Sequence, residues 1–204
     1  MQRIAVIDFE TTGMSPGQGA RATEIGVALL EGGEVVDRYQ SLMHTGAWVP
    51  PFIEELTGIS NAMLRKAPPA DRVMREAAEF VGETPLLAHN ASFDSRFWDA
   101  ELARIGGVRR QEFACSMLLA RRVFPSAPSH RLGALVDYTG IAVTGRFHRA
   151  LADAEMTAQL VARMCADLSQ RFGLAEVPHD LLRRIQRTPK HRLADCIRDF
   201  SAAA

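Results

Sequence analysis

A short apolar run near the N-terminus ends in two carboxylates, and this segment constrains the fold more than any other. Residues 4–7, Ile-Ala-Val-Ile, are apolar on both faces of a strand, which is typical of a central strand in a covered sheet. Asp8 and Glu10 follow two positions apart, so their side chains leave the strand on the same face. Two neighbouring negative charges are unfavourable unless something positive lies between them. The pattern therefore indicates a cation at the end of this strand.

The rest of the chain has the pattern of an α/β fold. Two strands around Gly32-Gly33 are predicted to form a hairpin, and helices are predicted over Ala70–Val81 and from about Ala150 to Phe172. A short buried strand is predicted at residues 86–89. Antiparallel strands followed by alternating helices and strands predict a mixed sheet covered by helices.

Three further candidate residues lie at the boundaries of predicted elements. Asp94 is in the first turn of the helix that follows residues 86–89, and Asp153 is in the first turn of the last long helix. Five residues at 3.6 per turn put His148 and Asp153 on different faces of a helix, so His148 is predicted in the preceding loop, beside the segment Thr-Gly-Arg-Phe. Strand ends and helix starts meet at one rim of an α/β sheet, so these side chains are expected to converge with Asp8 and Glu10.

Converging carboxylates with no lysine among them indicate hard divalent cations with oxygen ligands, most simply Mg²⁺ or Mn²⁺. Two such ions can position a water molecule and stabilise both oxygens of an in-line phosphoryl displacement. A loop histidine beside them is a suitable general base. Each acid taken singly is equally consistent with an ordinary helix start or strand end, and the ordered set carries the prediction.

Composition narrows the class of protein. The 204 residues contain 24 Lys and Arg and 24 Asp and Glu, so a nucleic-acid partner would need a local basic surface. The three cysteines form no CxxC pair. The N-terminus lacks the pattern of an export signal, and no apolar run reaches the length of a membrane span. These features predict a soluble, cytoplasmic protein.

Three segments carry a resemblance to a known family. DFETTG (residues 8–13), LLAHNASFDSRF (86–97) and HRALADAEMTAQL (148–160) resemble the exonuclease motifs of the DEDDh 3′–5′ exonucleases, which share the ribonuclease H-like fold. The likeness is greatest to the proofreading epsilon subunit of bacterial DNA polymerase III and its stand-alone relatives, and it covers about residues 4–172. It implies an α/β, ribonuclease H-like fold with a mixed five-stranded sheet flanked by helices.

The resemblance also implies roles for the charged residues. Asp8, Glu10 and Asp153 would hold the catalytic metal ion, and Asp8 would reach a second one. Asp94 would act on that second ion, and His148 would activate the attacking water. The cofactors implied are two divalent metal ions, Mg²⁺ or Mn²⁺.

The same resemblance implies a set of substrate-binding residues. The backbone at Thr11 and Thr12 would bind the 3′-hydroxyl of the terminal nucleotide. Asn90 and Phe93 would line the nucleotide pocket, and Ile59 would wedge against the terminal bases.

The function that follows is hydrolysis of the terminal phosphodiester at the 3′ end of single-stranded nucleic acid, with release of nucleoside 5′-monophosphates. DNA is favoured, in proofreading or repair, because FETTG is more like the DNA-acting members; an RNA-trimming exoribonuclease is the alternative. The domain is predicted over residues 1–173, with 174–204 as a C-terminal helical extension of unknown role. A different class of function is an interaction subunit that binds a DNA polymerase or another partner. The basic residues of 183–192 would then contact phosphate or an acidic surface.

Overall fold

The computed structural model describes residues 2–143, 145 and 147–202. Its strands are β1 (Ile4–Thr11), β2 (Ala22–Glu31), β3 (Glu34–Leu42), β4 (Leu86–Ala88) and β5 (Phe113–Cys115). Within the described residues they form one five-stranded sheet in the order β3-β2-β1-β4-β5. β1 pairs antiparallel with β2 and parallel with β4, and β5 runs parallel to β4. The predicted mixed sheet is confirmed, with β1 at its centre.

Helices cover both faces of the sheet. They are α1 (Pro51–Thr57), α2 (Asn61–Leu64), α3 (Ala70–Val81), α4 (Ala91–Arg104), α5 (Ser116–Val123), α6 (Leu132–Thr139), α7 (Ala150–Phe172), α8 (His179–Arg187) and α9 (Leu193–Ser201). The bounds of the two helices predicted from the sequence, 70–81 and about 150–172, agree with those of α3 and α7. No helix in the described part of the chain is long and apolar enough to cross a lipid bilayer.

The predicted hairpin connects β2 to β3. Glu31 pairs with Glu34 across the turn, and both intervening glycines have positive φ, 62° at Gly32 and 98° at Gly33. Positive φ at both central residues is the requirement of a type I′ turn, which matches the twist of the flanking strands. The two glycines therefore fix the register of the outer part of the sheet.

Alternate residues of β1 face two different layers of helices. Val6 and the other even-numbered apolar residues pack into a cluster with α7, whereas Ile7 and the other odd-numbered ones pack with α3 and α4. Asp8 and Glu10 continue the even-numbered face. Their side chains therefore point to the side of the sheet that α7 covers.

The N-terminal end of α7 lies directly on β2 at Gly26. A Cβ atom built on Gly26 would be 2.3 Å from the carbonyl carbon of Ala150 and 2.3 Å from the nitrogen of Leu151. Only a residue without a side chain permits this approach. Gly26 is also the β2 partner of Asp8, so the contact brings the start of α7 next to the carboxylates of β1.

The C-terminal segment that the sequence predicts as a helical extension packs into the same core. Leu181 and Ile185 of α8 are fully buried in the cluster that contains β1 and α7. The Nε2 atom of His179 is 2.8 Å from the carbonyl oxygen of Leu86, and the Cys115 N–H donates to Oε1 of Gln186 at 2.6 Å. α8 therefore covers the β5 edge of the sheet and binds β4 directly.

Candidate active site

The carboxylates of β1 lie where β1 extends past its neighbour. β4 pairs with β1 at Ala5 and Val6, so the rest of β1 continues beyond the end of β4. In this region the Phe9 N–H donates to Oδ1 of Asp94 at 3.2 Å. This hydrogen bond ties the start of α4 to the segment of β1 that carries Asp8 and Glu10.

A left-handed residue turns the chain from β4 into α4. Asn90 has φ 63° and ψ 49°, a conformation that asparagine tolerates better than most residues. α4 begins at the next residue and carries Asp94 in its first turn, where the helix dipole favours a negative charge. Asp94 is 2% exposed. The predicted location of Asp94 in the first turn of this helix is confirmed, and Asn90 occupies the helix-cap position.

The start of α7 brings His148 and Asp153 together in the way the spacing predicts. His148 precedes the helix with φ 62°, and its N–H donates to Oδ2 of Asp153 at 3.1 Å. Ligand atoms of Glu10, His148 and Asp153 all lie within 4.8 Å of one another. Of the preceding loop, Thr144 and Arg146 are outside the described residues.

A buried glutamate that sequence analysis missed fixes this arrangement. Glu24 of β2 is fully buried opposite Glu10. Its carboxylate accepts hydrogen bonds from Arg149 at 2.7 and 3.1 Å, from the Ala150 N–H at 3.1 Å and from Gln40 at 2.7 Å. Arg149 compensates the charge of Glu24 and the pair anchors the first residue of α7 to the sheet. The sequence feature that could have identified Glu24 is its position as an acid within the apolar stretch of β2.

The carboxylates facing the cleft form no ion pair with a lysine or arginine in the described part of the chain, and Arg149 opposes the raised pKa of Glu10 only in part. Burial, together with the charges of neighbouring carboxylates, raises the pKa of Glu10 to about 8. Burial also raises the pKa of Asp94 to about 8 and that of Asp153 to about 6, although the His148 N–H opposes the shift at Asp153. Desolvation and the charges of Asp94 and Glu10 raise the pKa of Asp8 well above its usual value. Ionisation of all four acids at once is therefore unfavourable without a bound cation.

These residues fit a divalent cation. The donor atoms of the four acids are carboxylate oxygens, the ligand type of Mg²⁺ and Mn²⁺ sites, and those of Glu10 and Asp153 lie within 4.8 Å of each other. Oδ1 of Asp153 is buried and has no hydrogen-bond partner among the described residues, although buried carboxylate oxygens are ordinarily satisfied. A bound cation would satisfy this oxygen and stabilise the ionised forms of the four acids, whose pKa values are raised by burial and by neighbouring carboxylates.

We expect the metal-free protein to lose stability as the pH rises from about 6.5 to about 9. Glu10 and Asp94 release their protons near pH 8 in the folded protein, whereas in the unfolded chain they are ionised above about pH 4. The folded state therefore binds more protons in this window, and the unfolding free energy falls with pH. The buried histidines His89 and His179, whose pKa values are lowered, are neutral throughout it.

The decrease should be on the order of 2 kcal/mol, or roughly 4–8 °C in melting temperature for a chain of this size. Thermal denaturation in the presence of a chelator would measure it, and Glu10→Gln should flatten the dependence. A melting temperature that stays constant across this range would show that the carboxylates ionise without cost.

The cleft at the end of β1 has a volume of about 270 Å³. The predicted residues that line it are Asp8, Glu10, Thr11, Phe93, Asp94, His148 and Asp153. The opposite wall is apolar and comes from Ile53 and Leu56 of α1 and from Met14. Leu56 is 46% and Met14 72% exposed, so the cleft combines a charged floor with an apolar wall open to solvent.

Three of the predicted substrate-binding residues lie outside this cleft. Oγ1 of Thr12 accepts a hydrogen bond from the Arg21 N–H at 3.0 Å, and Asn90 lines a neighbouring depression that includes Gln186. Ile59 does not line the cleft, because its side chain is 0% exposed in a small core with Val49, and its contact with the terminal bases stays a prediction. The apolar residues on that side of the cleft are those of α1.

A second histidine lines the cleft but is held in place. Nδ1 of His89 is 2.8 Å from Oγ of Ser116, and Nε2 is 3.0 Å from the carbonyl oxygen of His130. Burial lowers its pKa to about 4. Because both ring nitrogens are engaged, His89 cannot accept a proton from a substrate without breaking a hydrogen bond. His148 is exposed and remains the candidate base.

Comparison with known proteins identifies the family. The profile of the Exonuclease family matches residues 5–161. The epsilon subunit of DNA polymerase III from Aquifex aeolicus is 30% identical over 174 residues, which cover 85% of each chain. The chain belongs to the Exonuclease family and is a DEDDh-type 3′–5′ exonuclease, an enzyme that hydrolyses nucleic acid. The resemblance seen in the sequence is confirmed.

Other relatives are longer or more distant. The 3′–5′ exonuclease DinG of Bacillus subtilis is 31% identical over 195 residues, and the chain spans 95% of its own length but 20% of that protein. The structure of Exonuclease X in complex with 5′ overhanging duplex DNA superposes with a TM-score of 0.67 at 24% identity, covering 95% of this chain and 98% of that one. This similarity confirms the ribonuclease H-like fold.

Proposed function

We propose that the chain is a divalent-metal-dependent 3′–5′ exonuclease of single-stranded DNA that releases nucleoside 5′-monophosphates in proofreading or repair. The observation that carries the proposal is the meeting of four acids, Asp8, Glu10, Asp94 and Asp153, in one cleft with raised pKa values and with no lysine or arginine among the described residues that line it. A purely structural cluster would be neutralised as Glu24 is neutralised by Arg149.

The four acids have distinct roles in this proposal. Asp8, Glu10 and Asp153 hold one metal ion, for which the unsatisfied oxygen of Asp153 is available. Asp8 also reaches a second ion, on which Asp94 acts. Bound divalent metals supply charge stabilisation to the attacking and leaving oxygens of a phosphoryl displacement. We propose Mg²⁺ or Mn²⁺ because the donors are mainly carboxylate oxygens.

His148 acts as the general base. Its ring lies within 4.8 Å of ligand atoms of Glu10 and Asp153, and its exposed position permits contact with a water molecule at the substrate. The imidazole accepts a proton from the water that attacks phosphorus, and the bond from phosphorus to the 3′-oxygen of the preceding nucleotide breaks. The carboxylates of Glu10 and Asp153 stabilise the imidazolium that forms.

The terminal nucleotide is held between the two walls of the cleft. The backbone at Thr11 and Thr12 binds its 3′-hydroxyl, with the Thr11 side chain fixed by its 2.7 Å hydrogen bond to the carbonyl of Gly13. Phe93 and the α1 residue Leu56 contact the sugar and base. Asn90 lines the neighbouring depression, and its role in the nucleotide pocket stays a prediction.

DNA is the proposed substrate because the epsilon subunit of DNA polymerase III from Aquifex aeolicus matches over 85% of both chains. Association with a DNA polymerase subunit is proposed on the same ground. RNA trimming is the second candidate, since a 2′-hydroxyl is the only added group that the cleft would have to accept. The cytoplasmic location predicted from the sequence stays a prediction.

The test is degradation of single-stranded DNA and RNA of matched sequence, each labelled at the 5′ end. Reactions with Mg²⁺, with Mn²⁺ and with a chelator should give a metal-dependent ladder that shortens from the 3′ end, faster for DNA. A faster ladder on RNA would assign the enzyme to the RNA-trimming class. No cleavage of either polymer by folded, metal-loaded protein would contradict the proposal.

Metal binding should also raise the melting temperature. A ligand that binds only the folded state stabilises it by about 2.7 kcal/mol at a concentration 100 times its dissociation constant, which is roughly 5–10 °C for this chain length. Thermal denaturation across millimolar Mg²⁺ and Mn²⁺ at about pH 8 measures the shift. An unchanged curve would argue against a site formed before substrate binds.

A further inference from the structure

A second charged surface lies around the short 3₁₀ turn Lys190–Arg192 that connects α8 to α9. On one side of the turn is a depression of about 350 Å³, and on the other side is one of about 400 Å³. We call this the C-terminal basic surface. Its cationic residues are Arg122, Arg171, Arg184, Arg187, Lys190 and Arg192, with His191 beside them.

The charge of this surface is largely unopposed. Asp199 is the one acid among the residues lining the first depression, and the lining of the second contains no acid within the described part of the chain. Arg192 lies 3.9 Å from Asp195, which also pairs with Arg198. Because the chain as a whole carries equal numbers of acidic and basic residues, this concentration of cations is local.

Several of the guanidinium groups are fixed without being neutralised. Arg122 donates to the carbonyl oxygens of Leu118 and Thr188, both at 2.9 Å. Arg171 lies over the ring of Phe172 with 5.3 Å between guanidinium carbon and ring centroid, and Arg184 lies over Phe200 at 5.5 Å. These contacts order the side chains and leave their charge available, so less conformational entropy is lost when an anion binds.

This surface is suited to binding several phosphate groups along one polyanion. Guanidinium groups bind phosphate oxygens with paired, planar hydrogen bonds. Two basic depressions on either side of one turn provide more than one phosphate position. A single small anion would use one of them, whereas a polyanion would use both.

The surface lies far from the cleft. Arg171 is 18 residues beyond Asp153 on α7, or about 27 Å along the helix at 1.5 Å per residue. A stacked strand advances about 3.4 Å per phosphate and would need roughly eight nucleotides to cover this distance, and an unstacked single strand, which is more extended, needs fewer. Two or three nucleotides bound in the cleft therefore cannot reach the surface, and long strands can.

We propose that the C-terminal basic surface binds the phosphate backbone of the substrate strand several nucleotides upstream of its 3′ end, beyond the reach of a trinucleotide held in the cleft. The inference rests on the proposed function in one respect, that the cleft holds a 3′ end. It gives residues 174–202 a role in holding long substrates, which the cleft alone does not provide.

The test compares binding of long and short oligothymidylates, of about 30 and about three nucleotides, by fluorescence anisotropy with a chelator present. The variant replaces three exposed cations by glutamine: Arg187→Gln, Lys190→Gln and Arg192→Gln. Its affinity for the long strand should fall roughly tenfold or more, with that for the short strand unchanged. The slope of log affinity against log salt should decrease by about 2, because each phosphate contact contributes about 0.7 on single strands.

A matched control replaces Arg75 and Arg110, exposed cations on the α3–α4 side, by glutamine. This control should bind both strands as the unmodified protein does. An equal loss for both lengths, or none for either, would overturn the inference. An intact length effect in protein that cleaves neither polymer would instead contradict the proposed exonuclease function and leave the binding surface supported.

Discussion

Replacing Asp8 by asparagine should reduce the rate of 3′-end hydrolysis by at least roughly 10³-fold. Asp8 is the carboxylate that the proposal assigns to both metal ions, and a metal ion contributes several kcal/mol of transition-state stabilisation, each 1.36 kcal/mol being a factor of ten. Asparagine keeps the size of the side chain and removes its charge. The measurement is the initial rate on a 5′-labelled single strand at saturating Mg²⁺ or Mn²⁺.

The same substitution should leave the fold intact and raise the melting temperature of the metal-free protein by a few degrees. Asp8 is repelled by Asp94, Glu10 and Asp153, and asparagine removes these repulsions. The stabilisation by added metal should largely disappear. A catalytic carboxylate thus gives opposite changes in activity and in metal-free stability, which a residue needed only for folding would not give.

Asp137→Asn is the matched control for this experiment. Asp137 is an exposed acid on α6, and its replacement should change neither the rate nor the metal-dependent shift in melting temperature. Near-normal turnover in Asp8→Asn would disprove the assignment of Asp8 to the metal site, whatever the fate of the fold.

The acids of the cleft could be predicted because each one stands at a boundary of a periodic element. Asp8 and Glu10 interrupt an apolar strand, while Asp94 and Asp153 lie in the first turns of α4 and α7. Local sequence therefore locates these acids along the elements, and the general rule that strand ends and helix starts meet at one rim brings them together.

The residues that sequence analysis missed or misplaced depend on contacts between distant segments. Glu24 has the same chemistry as Glu10, and only the position of Arg149, 125 residues later, makes it a structural ion pair. Ile59 and Leu56 are both apolar and close to Gly58, and the packing of the α1–α2 region buries one and exposes the other. Side-chain direction in such short segments is decided by tertiary packing, which no local pattern records.

For the same reason, the sequence did not predict that residues 174–202 pack into the core. α8 has an apolar face typical of many surface helices, and the sequence does not say which surface it covers. In the structure Gln186 and His179 bind the backbone of the two outer parallel strands. The segment is thus part of the sheet's edge, and its basic turn is held at a fixed place relative to the cleft.

Replacing Gly26 by alanine should reduce activity by roughly 10²-fold or more and destabilise the protein by about 1–3 kcal/mol. The added methyl group would lie 2.3 Å from backbone atoms of Ala150 and Leu151, and backbone cannot move aside as a flexible side chain can. The start of α7 would therefore shift away from β2. His148 and Asp153 would move with it, and a displacement of about 1 Å of reacting groups costs this much in rate.

Gly17→Ala separates this effect from the general consequence of replacing glycine. A Cβ atom on Gly17 meets only Oγ of Ser15 at 3.6 Å, an ordinary contact, so this variant should retain its activity and stability. Rate, melting temperature and metal affinity should be measured for both variants. If Gly26→Ala lost stability but kept its rate and its metal affinity, the position of α7 on β2 would not control the site. If Gly26→Ala alone lowered the rate, the melting temperature and the metal affinity, the close backbone contact at Gly26 would be shown to position His148 and Asp153 beside Asp8 and Glu10. The Glu24–Arg149 pair supports that contact.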